Sequence, residues 1–146
     1  MGILDAISGY RVYLDTNIWI YALEGYPAFR DNLTQLFQHI DLGDLMAFTS
    51  ELSLAEALVK PLQNQDLVQE EIYKQAISSR ASLAVIPISR EILIEAAQLR
   101  ASVKLKLPDA IHAATARLNQ CSSFITNDKN FEKVPGISVI LLSEIM

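Results

Sequence analysis

A chain of 146 residues, 51% hydrophobic and 20% charged, has the size and composition of one globular domain with a sizeable core. Its formal charge of −5 argues against a broad basic face for duplex nucleic acid, although cations bound at a carboxylate cluster would restore attraction for phosphate. The single cysteine, Cys121, excludes an internal disulfide and suits a reducing, cytoplasmic setting, and no stretch approaches the length of an apolar membrane span.

The opening Met1-Gly2-Ile3-Leu4-Asp5-Ala6 lacks both the basic start of a signal peptide and the Ser or Thr of a myristoylation signal. Tyr10–Leu14 reads as a first strand, and Thr16 to about Glu24 as a short helix ended near Gly25. Pro27 starts a second helix with Phe29, Leu33, Leu36, Phe37 and Ile40 at helical spacing, broken by Asp41-Leu42-Gly43-Asp44. Leu45–Thr49 is a second strand. Thr49 and Ser50 then cap a helix running through Leu52, Ala55, Glu56 and Val59 to Pro61. A longer helix is expected from Asp66 to Ser82, and a third strand from Ala84 to Ile88. Ser89 caps a helix with Ile92, Ala96 and Leu99 inside, and Pro108 sits in the first turn of the next. Ser123–Thr126 is a fourth strand, followed by the polar loop Asn127-Asp128-Lys129-Asn130, and Ile137–Leu141 a last short one. Strands alternate with helices and no hairpin signal appears. The pattern predicts a single α/β domain over residues 1–146, an α/β/α sandwich with a mainly parallel central sheet.

Acids recur where such a sheet binds ligands, outside the carboxyl ends of its strands. Asp15 follows the first strand, Asp128 the fourth, Asp109 directly follows Pro108, and Glu56 lies within the helix after the second strand. Each also has a purely structural reading. Asp15 and Thr16 are good cap residues, and Asp109 would complement its helix dipole, worth roughly 0.3–1 kcal/mol. Asp128 suits a turn, and Glu56 completes the capping-box pattern Ser53-Leu54-Ala55-Glu56, although Thr49 and Ser50 offer an earlier cap. Together, four like charges at one sheet edge destabilise the fold unless cations are present. Oxygen ligands of this kind suit Mg²⁺ or Mn²⁺, ions that activate water for attack on a phosphodiester.

Leu14-Asp15-Thr16-Asn17-Ile18, Ser53-Leu54-Ala55-Glu56, Leu107-Pro108-Asp109-Ala110-Ile111-His112-Ala113-Ala114 and Ile125-Thr126-Asn127-Asp128-Lys129-Asn130-Phe131 together resemble the PIN-domain nucleases. The resemblance is nearest to the small VapC-like toxins of bacterial toxin–antitoxin systems and covers almost the whole chain in order. It implies a metal-dependent endoribonuclease with Asp15, Glu56, Asp109 and Asp128 as Mg²⁺ or Mn²⁺ ligands, supported by Thr126 and Asn17. It implies products with a 5′ phosphate and a 3′ hydroxyl. It also implies a cognate antitoxin, packed across the early helices and sending a basic side chain toward Asp15 and Asp109; a homodimer is a further expectation. Two rival readings are a PIN nuclease of RNA processing outside a toxin module and a non-catalytic interaction module on the same fold.

Other residues carry plainer expectations. His112 shares the helix face of Asp109 and reads as a satisfied, half-buried histidine, with a ligand contact as the alternative. Trp19 reads as core or dimer packing. Lys104, Lys106 and Lys129 flank two of the acids and read as solvated lysines, with phosphate contact as the alternative. Cys121 reads as a buried, inert thiol.

Overall fold

Side chains alternate across a strand, so a strand covered on both faces divides its apolar residues between two cores. In the computed structural model, which describes residues 1–145, β1 (Arg11–Leu14) sends Val12 and Leu14 into one core and Tyr13 into the other. Strands β2 (Met46–Ser50), β3 (Leu83–Ile86), β4 (Ser123–Thr126) and β5 (Val139–Leu141) complete the sheet. Its order is β3-β2-β1-β4-β5, and every pairing is parallel. Register places Tyr13 beside Phe124 and Leu14 beside Ile125. The Tyr13 and Phe124 rings stack at 4.9 Å.

Helices α1 (Ile3–Ala6), α2 (Thr16–Leu23), α3 (Arg30–Asp41), α4 (Glu51–Gln63) and α5 (Leu67–Ala76) cover the Val12 and Leu14 face. Helices α6 (Arg90–Ser102) and α7 (Leu107–Leu118) cover the Tyr13 face. This is the expected α/β/α sandwich, with a sheet that is parallel throughout. Trp19 is core: its indole N–H donates to Thr49 Oγ1 at 3.2 Å, and that hydroxyl donates to the Leu14 carbonyl at 2.8 Å. One hydroxyl thereby fixes α2 against the ends of β1 and β2. Before β1, Gly9 has a positive φ of 75°, and a Cβ there would stand 2.4 Å from Ser122 Oγ. The turns leading into β1 and β4 therefore touch closely, with Ser122 Oγ donating to the Ser8 and Arg11 carbonyls.

Several boundaries differ from expectation. The helix expected to reach Ser82 ends at Ala76, because serines close it: Ser78 Oγ donates to the Lys74 carbonyl, and Ser79 Oγ accepts from Val85 N. The segment after Pro27 begins as a 3₁₀ turn, Pro27–Phe29, before α3. Helix α4 continues through Pro61 to Gln63. Helix α1 is too short to show periodicity and is held from outside, where Asn32 Oδ1 accepts from Ile3 N at 3.0 Å. Among the described residues, no helix is long and apolar enough to cross a membrane.

Candidate active site

Asp15 stands where β1 stops and α2 starts. Its N–H still donates to the Ile125 carbonyl, extending the β1–β4 ladder, while its side chain accepts from Thr16 N at 2.8 Å. Its other oxygen accepts from Thr126 Oγ1 at 2.7 Å, and the same hydroxyl accepts from Asp128 N at 3.1 Å. Thr126, the last residue of β4, thus ties Asp15 to the Asp128 turn. The cap reading and the cluster reading of Asp15 coexist: one oxygen caps α2 while the carboxylate lines the pocket.

Ser50 caps α4 by accepting from Leu52 N, so Glu56 lies more than one turn inside the helix and is not its capping partner. Glu56 Oε1 accepts from Thr16 Oγ1 at 2.7 Å and from His112 Nε2 at 2.7 Å. His112 is 1% exposed, more buried than the half-burial expected from sequence, and its Nδ1 meets the Tyr13 hydroxyl at 2.7 Å. With the Tyr13 hydroxyl donating to Nδ1 and Nε2–H donating to the exposed Glu56, the polar atoms of the buried Tyr13 and His112 are all satisfied. Sequence reasoning placed His112 beside Asp109 but missed this bridge from α7 to α4. It also missed the side-chain role of Thr16, read there only as a cap. The single available signal was the shared helix face of His112 and Asp109.

Asp109, partly buried in the first turn of α7, makes no side-chain hydrogen bond among the described residues. Asp15, Glu56, Asp109, Asp128, Thr16, Asn17, Ile20 and His112 line one pocket of about 210 Å³. All four predicted acids therefore meet there, arriving from β1, α4, α7 and the turn after β4. Thr126 touches the cluster through Asp15; Asn17 is exposed on the rim, its side chain unbonded among the described residues.

Electrostatics divides the acids. Burial raises the Asp15 carboxyl above its ordinary value, against opposition from His112, Thr126 and the Thr16 amide. Burial also raises Asp109, and the charges of Asp128 and Asp15 push it further. Burial pushes Glu56 up too, but hydrogen bonds from His112 and Thr16 outweigh it and leave that carboxyl below the usual range.

Among the described residues, no group of three Asp, Glu, His or Cys side chains is already drawn together as a metal cage. The reason is visible in the bonding: both Asp15 oxygens take protein donors, and Glu56 is turned onto His112 and Thr16. The donor chemistry nonetheless fits a hard divalent cation, since the acids share one pocket and the repulsion from Asp128 and Asp15 outweighs the opposing His112 at Asp109. Elsewhere, the lysines expected to flank the acids divide: Lys104 and Lys106 line a second cavity beside Asp109, whereas Lys129 points to Glu144 at 3.9 Å. Cys121 is buried, and burial pushes its thiol up to about 12, out of reach of nucleophilic chemistry.

Comparison with known proteins follows the same lines. Residues 12–137 match the PIN domain family. A chain of a toxin–antitoxin complex from Klebsiella pneumoniae is 31% identical, with a TM-score of 0.68, over 92% of this chain and 99% of that one. VapBC2 from Rickettsia felis, bound to a DNA fragment from its promoter, aligns with a TM-score of 0.70 at 19% identity, covering 90% and 98%. VapC20 from Mycobacterium tuberculosis, a Sarcin-Ricin loop cleaving toxin, aligns with a TM-score of 0.67 at 14% identity, covering 87% and 98%. No curated protein sequence matches the chain significantly. With all four acids inside the matched residues 12–137, this chain belongs to the PIN domain family.

Proposed function

We propose that this chain is a metal-dependent endoribonuclease and the toxin of a toxin–antitoxin pair. The observation that carries the reading is the meeting of Asp15, Glu56, Asp109 and Asp128 in one pocket from four separate elements. Asp15 is the central ligand, Asp109 and Glu56 complete one cation site, and Asp128 supports a second. Mg²⁺ or Mn²⁺, when bound, would activate water and neutralise charge on the phosphodiester. The chain's own contribution is placement. Thr126 aims Asp15, while His112 and Thr16 hold Glu56 at the pocket wall until a cation competes for it.

The toxin reading draws on the toxin–antitoxin assemblies among the structural neighbours. It also draws on a largely apolar groove of about 280 Å³ bounded by Trp19, Leu23, Leu33 and Phe37 of the early helices, where antitoxin packing is expected, and closed by Ala76 of α5. An antitoxin Arg or Lys reaching the acids would compete with the cation.

Asp15→Asn and Asp109→Asn should each abolish RNA cleavage in Mn²⁺ while leaving a folded chain by circular dichroism. The native chain expressed without its neighbouring small gene should arrest growth, and co-expression should relieve the arrest. Full cleavage by either variant removes that acid from the site. A harmless native chain that still cleaves RNA in vitro removes the toxin assignment.

A further inference from the structure

Basic side chains are few in this acidic chain, and four of its twelve lysines and arginines face one cavity. The cavity measures about 580 Å³ and adjoins the acid pocket, for Asp109 and Asp128 line both. Arg100 comes from the last turn of α6, Lys104 and Lys106 from the link to α7, and Lys133 from the 3₁₀ turn Lys129–Lys133. We propose that this cleft seats the sugar-phosphate backbone of a single-stranded nucleic acid next to the phosphodiester held at Asp109 and Asp128.

Three observations separate this cleft from ordinary solvated lysines. Among the described residues, none of these four cations lies within 4.0 Å of a carboxylate, a state they share with Arg30, Lys60, Arg80 and Arg90; what sets the four apart is that all of them line one cavity. Arg100 is held in place: its Nε donates to the Leu105 carbonyl at 3.2 Å, leaving the terminal nitrogens to make the paired hydrogen bonds that suit a phosphate. Lys106 occupies the cap position of α7 without a side-chain capping bond, so its ammonium is left to the cavity it lines. A net negative chain repels polyanions as a whole, and a local cluster of unpaired cations is what draws one to this side.

The cleft's composition also says what is read there. Among the described residues no aromatic ring lines it, so bases have no stacking platform, and binding depends on phosphate rather than sequence. Among the described residues Leu105 is its one apolar wall residue, too little for the buried anchor a protein partner or an apolar ligand would need.

The proposal rests on the nuclease reading for its direction along the strand, and the test separates the two. Binding of a short labelled single-stranded RNA, and of the DNA of the same sequence, is followed by anisotropy in chelator across a salt series. The double variant Lys104→Gln/Lys133→Gln should lower the magnitude of the salt slope by about 1.4, taking about 0.7 per phosphate contact, equally for RNA and DNA. Lys74→Gln, on α5 and paired with Glu70, should leave the slope unchanged. An unchanged slope in the double variant, or an equal loss in Lys74→Gln, overturns the cleft. An acidic peptide that displaces the oligonucleotide at equal charge and concentration overturns it in favour of a protein partner. If the double variant keeps its slope while the native chain cleaves RNA, only the cleft fails. If Asp15→Asn still cleaves while the double variant loses slope, the cleft stands and the assignment of the acids fails.

Discussion

Asp109 carries a charge that, among the described residues, no ion pair or side-chain hydrogen bond meets, with only His112 opposing its neighbours from a distance. Its carboxyl is raised by burial and by Asp128 and Asp15, so the metal-free folded chain holds a proton there more tightly than the unfolded chain does. The stability this contributes is complete below the ordinary value of 3.8 and is lost as pH rises through the raised folded value. At neutral pH the ionised carboxylate is therefore a cost. Asp109→Asn in chelator should be as stable as the native chain or more so, by up to about 1 kcal/mol, with the difference vanishing toward acid. Urea unfolding at neutral and acid pH checks this; a variant clearly weaker than native at neutral pH would show that loss of the α7 dipole interaction outweighs relief of repulsion. The placing of Asp15, Asp109 and Asp128 was legible in the sequence because residue type and position at strand ends and helix starts are local properties; Glu56, inside α4, entered through its place after the second strand. The Tyr13–His112–Glu56 chain was not, because it joins residues 99 and 56 positions apart through a contact that only packing of α7 and α4 creates.

At the scale of elements, the junction of two turns is the sensitive point. Gly9→Ala would place a methyl carbon 2.4 Å from Ser122 Oγ at a backbone angle that L-residues rarely adopt. Ser122 has little freedom to move, since its hydroxyl bonds both Ser8 and Arg11. The substitution should destabilise the chain by about 1–3 kcal/mol, visible as a lower denaturant midpoint with an unchanged slope. The strands and long helices were readable from apolar runs, Pro108 and the Ser89 cap, all of which act within a few residues. Their ends were less so. The stop at Ala76 depends on hydroxyls that had to choose between helix and local backbone, and α1 depends on Asn32 of α3, information that periodicity does not contain.

For the whole molecule, a cation that binds only the folded cluster must raise stability by linkage. At about a hundredfold above its Kd, Mn²⁺ or Mg²⁺ should add roughly 2.7 kcal/mol and raise the Tm, and chelator should reverse the shift. The Asp15→Asn chain should show little of it, and a native chain that does not respond to millimolar Mn²⁺ would exclude the cation site. The central position of β1 carries another consequence. Asp15 is supported by Thr126, 111 residues later, and β1 pairs with β4 along its last three residues. A growing chain has made Asp15 and Glu56 long before β4, whose Thr126 orients Asp15, and Asp109 comes only shortly ahead of that strand. The newborn chain therefore cannot assemble its acid cluster until β4 has been made, and whatever chemistry the cluster performs is withheld from the earlier part of the chain's own synthesis.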